Sequence, residues 1–227
     1  MLISYSHKFL FVHVWKAAGT SIRESLRPFG HDPSKTPANR FLRACRLGWT
    51  WPASKSKVFD SHISARELRD RLPRGVFRKF FKFGFVRNPW ELLVSRYHYI
   101  LQTPTHPRHS VVASLGSFPA YLQWLTQNNK RQQADFLVDE RACLLVDFVG
   151  RFERIDTDFR EVCRQIGISA ELKSLNLSRH ADYRTYYDRR SIQLVAEHFR
   201  DDVERFEYAF DQPASAHASF SAKRSAA

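Results

Sequence analysis

The chain has 227 residues, which is enough for one large domain whose core needs neither disulfides nor metal ions to stabilise it. Hydrophobic residues make up 43% and aromatic residues 14%, a composition that excludes a mainly disordered protein. The chain carries 36 Lys and Arg residues against 23 Asp and Glu residues, a net charge of +13. This surplus favours a polyanionic partner: nucleic acid, acidic lipid, acidic glycan or a phosphorylated cofactor.

The first residues, MLISYSHKFLFVHVWK, lack the pattern of a signal peptide, because the apolar run is short and no small-residue cleavage site follows it. No stretch approaches the roughly 18 apolar residues that a membrane span requires. We therefore expect a cytoplasmic protein without a transmembrane segment, for which a peripheral membrane contact stays open.

The three cysteines are Cys45, Cys143 and Cys163, an odd number without CxxC or Cys/His spacing. This pattern predicts neither a disulfide framework nor a zinc site. Because free Cys packs as a small hydrophobic side chain, we expect buried thiols.

Three short apolar stretches, rich in Phe and Val, are typical of buried strands: residues 9–14, 82–87 and 144–149. Each precedes a segment with helical pattern, at residues 19–26, 89–101 and 156–166. This alternation predicts an α/β fold: a single domain with a central parallel sheet and flanking helices. We place this domain at residues 1–211 and expect the small, polar tail at 212–227 to be disordered.

Further helices are predicted at residues 64–72, where Ser64 and Glu67 have the spacing of a capping box, and at 189–206, which is amphipathic. Residues 30–57 and 103–114 mix Pro, Ser and basic residues, and we interpret both as loops. Loops carry specificity, so contacts with the bound molecule are expected there.

The first predicted strand is followed by a turn and a helix start that contain Lys16, Gly19, Thr20 and Ser21. Helix N-terminal N–H groups, two hydroxyls and a lysine at one point form a site suited to phosphate. Gly19 permits a close approach of the backbone to a ligand. The stretch is not a Walker A loop, because Lys does not follow a Gly here. The simpler interpretation is an ordinary helix N-terminus capped by Thr20 or Ser21.

The second predicted strand ends at Arg87, and the helix that follows it carries Ser95. Open α/β sheets bind ligands at the carboxyl ends of their strands, where an arginine fork suits a phosphate. The simpler interpretation is a surface ion pair for Arg87 and an exposed hydroxyl for Ser95.

Residues 13–21 (HVWKAAGTS) and 85–95 (FVRNPWELLVS) resemble two signatures of the sulfotransferases that use 3′-phosphoadenosine 5′-phosphosulfate (PAPS), specifically the Golgi carbohydrate sulfotransferases and their bacterial relatives, known as sulfotransferase family 2. Residues 61–72 and 146–163 also resemble this family, so the resemblance extends over most of residues 2–210. Trp15 departs from it, standing where the family usually has Pro. Because this sequence shows no membrane anchor, unlike the Golgi members, we expect a bacterial-type cytosolic enzyme.

The resemblance implies a P-loop-like sulfotransferase fold and assigns roles to eight residues. The first signature would hold the 5′-phosphate and sulfate end of PAPS through Lys16, Ala18, Gly19, Thr20 and Ser21. The second signature would hold the 3′-phosphate through Arg87 and Ser95. His62 is the candidate base for the acceptor hydroxyl, and Lys16 the cation for the leaving phosphate. Lys and Arg neutralise the charge, so no metal is expected. His98 and His180 are the other candidates for an assisting histidine.

The implied acceptor is a hydroxyl of a carbohydrate, either free or part of a glycolipid. Six aromatic residues are candidates for sugar stacking, although core packing is the alternative for several: Trp49, Trp51, Tyr97, Tyr99, Tyr121 and Trp124. A basic nucleic-acid-binding protein is the main alternative function, but no RRM, KH, helix-turn-helix or zinc signature is present and no nucleic acid partner is expected. A nucleoside or sugar kinase is disfavoured because the chain has no Gly-Lys-[Ser/Thr] sequence.

Overall fold

The computed structural model describes residues 1–33, 59–129, 131–173 and 181–211, together with the backbone of residues 220–221. The strands of this part form one sheet in chain order: β1 (Leu2–Ser4), β2 (Phe9–Val12), β3 (Phe81–Val86), β4 (Phe148–Arg151) and β5 (Phe220–Ser221). Strands β2, β3 and β4 run parallel, whereas β1 and β5 pair antiparallel at the two edges. The α/β fold with a central parallel sheet is therefore confirmed.

The central strands are apolar at almost every position because helices cover both faces of the sheet. In β3, Phe83 pairs in register with Phe11 of β2 and with Phe148 of β4, and all three side chains are buried. These phenylalanines fix the register of the parallel strands. Because these three strands run parallel, the loops that leave β2, β3 and β4 all emerge at the same edge.

The helices of the described residues are α1 (Gly19–Leu26), α2 (Ala65–Arg71), α3 (Arg74–Lys79), α4 (Pro89–Leu101), α5 (His109–Ser114), α6 (Phe118–Asn128), α7 (Ile155–Ile166), α8 (Arg189–His198) and α9 (Arg200–Arg205). The helices predicted at 19–26 and 89–101 have these bounds. The capping box is also confirmed, since the Ser64 hydroxyl accepts from the Glu67 N–H and the Glu67 carboxylate accepts from the Ser64 N–H at 2.9 Å. None of these helices has the length and apolar composition of a membrane span.

The third strand was predicted four residues too early. Leu144 forms an isolated antiparallel bridge with Val138, and the Leu145 N–H donates to the Leu137 carbonyl at 2.8 Å. These local bonds take the backbone groups that a longer β4 would use, so the strand begins at Phe148.

The loop prediction for residues 103–114 is wrong in its second half, which forms α5. Pro104 and Pro107 both precede the helix, and Val112 anchors it by a fully buried side chain. The predicted helix at 189–206 is instead two helices, because Phe199 leaves the helical region at φ −107° and ψ 35°. The buried Phe199 ring packs into the core at this break.

Of the predicted tail, Phe220–Ser221 forms a strand that pairs with β4, and the rest lies outside the described residues. Most of the predicted loop at 30–57 also lies outside them, as does Cys45. Cys163 is buried as expected, but Cys143 is exposed, because it sits in a surface turn where its N–H donates to the Asp139 carboxylate at 2.8 Å.

Candidate active site

A cavity of about 870 Å³ lies at the carboxyl ends of the parallel strands. Lys16 comes from the loop after β2, Arg87 directly follows β3, and Phe152 directly follows β4. All of the residues assigned to the site from the sequence line this one cavity: Lys16, Ala18, Gly19, Thr20, Ser21, His62, Arg87 and Ser95. The structure thus brings together residues that are up to 79 positions apart in the chain.

The loop between β2 and α1 has an unusual backbone. Lys16 (φ 62°) and Ala18 (φ 55°) both adopt the left-handed conformation, which non-glycine residues rarely occupy. Ala18 is the N-cap of α1 and offers no side-chain cap hydrogen bond. The positive end of the α1 dipole therefore faces the cavity without a capping side chain, which suits it to an anion.

Only glycine fits at position 19, because the ring of His13 packs against it. A Cβ atom at this position would lie 1.8 Å from Cδ2 of His13, because the imidazole packs directly on the glycine. The ring centroid of His13 is also 4.3 Å from that of His62. Burial, with a smaller effect of His62, holds the pKa of His13 well below its usual value, so His13 is neutral at pH 7.

His62 has a defined tautomer. Its Nδ1 lies 3.0 Å from the backbone oxygen of His13, and since a carbonyl only accepts, Nδ1 carries the proton. The Nε2 lone pair is thereby available to accept a proton. Burial lowers the pKa of His62 below 6.5, and the hydrogen bond to His13 opposes this only in part. His62 is therefore neutral at pH 7, as a general base must be.

Lys16 is a partly desolvated cation. Burial, followed by the positive charges of Arg87 and Arg96, lowers the pKa of Lys16 to about 8. Its Nζ lies 4.2 Å from the ring centroid of Tyr99. No carboxylate pairs with Lys16 among the described residues. A lysine crowded by other cations in this way is stabilised by a bound anion.

Arg87 is buried in the cavity wall, unlike the surface ion pair that was the alternative interpretation. Its guanidinium stacks on Phe152 at 3.9 Å and donates from Nη2 to the Glu91 carboxylate at 2.8 Å. Nη1 is 3.5 Å from the Lys16 carbonyl, while Nε is buried without a hydrogen-bond partner among the described residues. The guanidinium is thus held in a fixed orientation with donor capacity remaining.

The backbone of Arg87 is fixed by the Gln133 side chain. The amide oxygen of Gln133 accepts from the Arg87 N–H, and its nitrogen donates to the Arg87 carbonyl, both at 2.8 Å. The buried Asp202 carboxylate in turn accepts from the Gln133 backbone and side chain and from the Ala134 N–H. Asp202 of α9 therefore supports the Gln133 side chain that holds the Arg87 backbone.

The cavity lining is strongly cationic. Its described residues include five cations, Lys16, Arg87, Arg96, Arg131 and Lys173, but only two carboxylates, Glu91 and Asp156. Sequence reasoning missed Arg96, Arg131 and Lys173, which belong to no motif, and assigned no role to His13. No group of three His, Cys, Asp or Glu side chains with metal-binding geometry occurs within the described ranges.

The remaining candidates from the sequence have different environments. His98 directs Nε2 to the Tyr186 hydroxyl at 2.8 Å and lies outside the cavity lining. Tyr97 and Tyr121 are buried against Phe118, whereas Tyr99 is exposed and lines the cavity. His180, Trp49 and Trp51 lie outside the described residues.

Two comparisons place the chain among known proteins. The profile of the Sulfotransferase family matches residues 1–209, a range that contains every residue of the cavity lining. The chain is also similar to an uncharacterised protein of Archaeoglobus fulgidus, with 31% identity over 121 residues, which is 52% of this chain and 93% of that protein.

Proposed function

The chain belongs to the sulfotransferase family, and on this basis we propose that it transfers the sulfuryl group of PAPS to a hydroxyl of a carbohydrate acceptor. The observation that carries the proposal is the position of Lys16, a desolvated lysine at the uncapped N-terminus of α1, in the same cavity as the neutral His62. The first feature suits a phosphate with a developing negative charge, and the second suits a hydroxyl that loses its proton.

The cavity residues fit a donor with phosphates at two positions. The α1 N-terminus, with Lys16, Ala18, Gly19, Thr20 and Ser21, would hold the 5′-phosphosulfate, and the close contact of Gly19 with His13 keeps this loop near the base. Arg87 and Ser95 would hold the 3′-phosphate. Arg87 lines the cavity and brings to it the positive charge that such a phosphate requires.

The transfer step then assigns one task to each of two side chains. Nε2 of His62 accepts the proton of the acceptor hydroxyl while that oxygen forms its bond to sulfur. The bond between sulfur and the bridging phosphate oxygen breaks in line, and the ammonium of Lys16 neutralises the charge that develops on that oxygen. The products are a sulfate ester, the bisphosphate 3′-phosphoadenosine 5′-phosphate (PAP) and a protonated His62.

A thermal-shift titration tests the donor. Saturation with PAP at about 100 times its Kd adds about 2.7 kcal/mol to the free energy of unfolding, whereas ATP and a single-stranded oligonucleotide should add much less. Lys16→Ala should lose most of the shift, while Lys79→Ala, at the end of α3, should keep it. Equal stabilisation by the oligonucleotide would favour a nucleic-acid-binding protein and reject the proposal.

A screen of radiolabelled sulfate transfer from PAPS tests the acceptor. Glycans and glycolipids should become labelled, and phenolic and amine acceptors should not. Labelling of phenols alone would reject the carbohydrate assignment while leaving the donor assignment in place. The cytoplasmic location stays a prediction.

A further inference from the structure

Two adjacent residues of the loop between β2 and α1 contact two residues of α4. The loop supplies Trp15 and Lys16, and α4 supplies Arg96 and Tyr99. The guanidinium carbon of Arg96 lies 4.8 Å from the ring centroid of Trp15, and Nζ of Lys16 lies 4.2 Å from the ring centroid of Tyr99. Both distances are within the roughly 6 Å of a cation–π contact. All four residues line the cavity of the candidate active site.

The two contacts are reciprocal. In one, the loop supplies the ring and the helix supplies the cation; in the other, the loop supplies the cation and the helix supplies the ring. Arg96 and Tyr99 are three positions apart and therefore lie one turn apart on the same face of α4. Trp15 and Lys16 are consecutive, so both contacts hold the same short piece of backbone. We call Trp15, Lys16, Arg96 and Tyr99 the loop clasp.

The loop is a segment that needs such a restraint. Lys16 and Ala18 both adopt the left-handed conformation, which persists in non-glycine residues only where surrounding contacts enforce it. Ala18 makes no side-chain capping bond at the start of α1. Ala17, between these two residues, is buried in the core. The loop clasp adds a second attachment, to α4, at the position where the left-handed conformation begins.

The ring of Tyr99 also supplies an attractive contact for the Lys16 ammonium. Burial and the charges of Arg87 and Arg96 disfavour this cation and lower its pKa to about 8. No carboxylate among the described residues pairs with it. The negative face of an aromatic ring acts in the opposite direction and fixes where the cation lies.

Core packing does not account for Tyr99. Its side chain is 41% exposed, one of the large apolar side chains that the described structure leaves at the surface. The ring is nevertheless held, because His106 packs edge-on against it with a centroid distance of 5.9 Å. The contact with Lys16 therefore gives this exposed ring a role that its contribution to the core does not.

We propose that Tyr99, together with the pair of Arg96 and Trp15, positions the donor loop and directs the Lys16 ammonium at the leaving phosphate. This inference rests on the proposed sulfuryl transfer, in which Lys16 neutralises the charge that develops on the bridging oxygen. The three residues act through Lys16 and the loop, so they are positioning residues. Positioning matters here because a small displacement of a catalytic group has a large effect on the rate.

NMR of ligand-free protein labelled with ¹³C-lysine tests the geometry of the loop clasp. The methylene group bonded to Nζ of Lys16 is close enough to the ring of Tyr99 for its protons to be shifted upfield, and Lys16→Arg assigns the signal by removing it. The upfield shift should disappear in Tyr99→Leu and persist in Tyr99→Phe. Tyr5→Leu is the matched control, since this exposed tyrosine stacks on His31 instead. A wild-type signal at the position found in Tyr99→Leu would overturn the proposal.

The role in transfer is tested by changing the electron density of the ring without changing its shape. Phenylalanine and its mono-, di- and trifluorinated derivatives are introduced at position 99, and kcat for sulfate transfer from PAPS is measured. Each fluorine withdraws electron density from the ring face and weakens a cation–π contact. We expect kcat to fall stepwise, by roughly two- to fivefold in total, which corresponds to ~0.5–1 kcal/mol. Equal rates along the series would overturn the proposal, because a merely structural ring depends on shape alone.

The two contacts of the loop clasp should act together. Trp15→Leu should also lower kcat, and Trp15→Phe, which keeps a ring, should restore most of it. In the double variant of Trp15→Leu and Tyr99→Leu, the loss should be smaller than the product of the two single losses, because a loop released by one substitution is already displaced. Losses that multiply would show that the contacts are independent and would refute a shared clasp.

Thermal melts and PAP binding separate this proposal from the alternatives. Tyr99→Leu should melt close to the wild type, because the side chain is partly exposed; a large destabilisation would indicate a structural role and overturn the proposal. A wild type that binds PAP but lacks the upfield Lys16 signal would keep the donor proposal and overturn the loop clasp. A wild type that shows the signal but does not bind PAP would reject the donor proposal, while the contact of Lys16 with Tyr99 would stand.

Discussion

The imidazole of His62 donates from Nδ1 to the backbone oxygen of His13, over 3.0 Å, and thereby attaches the candidate base to the end of β2. The same strand leads directly into the loop that carries Lys16. The proton acceptor and the cation of the proposed reaction are therefore positioned by one short piece of backbone.

We expect His62→Ala to lower the rate of sulfate transfer by at least about a hundredfold, since general base catalysis typically contributes about 10²–10⁴. PAP affinity, measured by calorimetry, should change little because His62 acts on the acceptor. His98→Ala is the matched control, as His98 bonds to Tyr186 outside the cavity lining. Near-wild-type turnover in His62→Ala would refute the base assignment.

Gly19→Ala should slow sulfate transfer through its effect on His13. The added Cβ would overlap Cδ2 of His13 at 1.8 Å, so the ring or the loop must shift, and the carbonyl that holds His62 shifts with it. We expect a loss of transfer of more than about tenfold and destabilisation of about 1–3 kcal/mol, the usual cost of overpacking. Thermal melts and initial rates measure both.

Gly75→Ala is the control for this substitution. A Cβ at Gly75 meets no atom within 4 Å, and the residue lies within α3, where Ala is the better helix former. This variant should be as active as the wild type and slightly more stable. Equal behaviour of the two alanine variants would show that the contact between Gly19 and His13 is unimportant.

The parallel sheet could be predicted from the sequence because it depends on local patterns, and the same patterns place the candidate site residues at one edge of that sheet. A composition rich in Phe and Val predicts the buried strands. Lys16 and Arg87 follow two of these strands, at the edge of the sheet where ligands bind. The break at Phe199 was missed because it depends on a tertiary contact. The shortened β4 was missed because composition does not reveal the bridge between Val138 and Leu144. Arg96, Arg131 and Lys173 were missed for the same reason, since only the tertiary packing places them in the cavity lining.

The pH dependence of transfer should reflect Lys16. Its pKa of about 8 means that raising the pH through this value removes its positive charge, so kcat/KM should fall above pH 8. On the acidic side, His62 must be neutral, and its lowered pKa moves that limb below pH 6.5. A bound phosphate raises the pKa of Lys16, so the alkaline limb of kcat should lie higher than that of kcat/KM. Initial rates measured across pH 5–10 test this, and alkaline limbs of kcat and kcat/KM that coincide would contradict the assignment.

Arg87→Ala should mainly weaken donor binding. The guanidinium stacks on Phe152 and lines the cavity, so its removal would take charge-assisted hydrogen bonds from a 3′-phosphate bound there. Such bonds contribute about 1.5–3 kcal/mol, which corresponds to a loss of PAP affinity of roughly 10- to 150-fold. Affinity for adenosine 5′-phosphate, which lacks the 3′-phosphate, should change far less. An equal loss for both nucleotides would place Arg87 elsewhere in the donor site.

The buried Asp202 makes the support of Arg87 sensitive to pH. Burial raises the pKa of Asp202 to about 7, because desolvation outweighs the three N–H groups that its carboxylate accepts from. The folded protein then binds more protons than the unfolded chain between about pH 4 and pH 7. The free energy of unfolding should therefore decrease as the pH rises across this interval and level off above it.

Urea denaturation at pH 5, 6, 7 and 8 measures this slope, and Asp202→Asn should flatten it. The same variant should be less stable at every pH, because its amide NH₂ group meets the Gln133 N–H donors instead of accepting from them. Gln133→Ala, which leaves the carboxylate in place but frees the Arg87 backbone, should lose about 1–3 kcal/mol, keep the slope and bind PAP more weakly. A slope that persists in Asp202→Asn would mean that another group carries the titration, and unchanged PAP affinity in Gln133→Ala would show that Arg87 is positioned without this network.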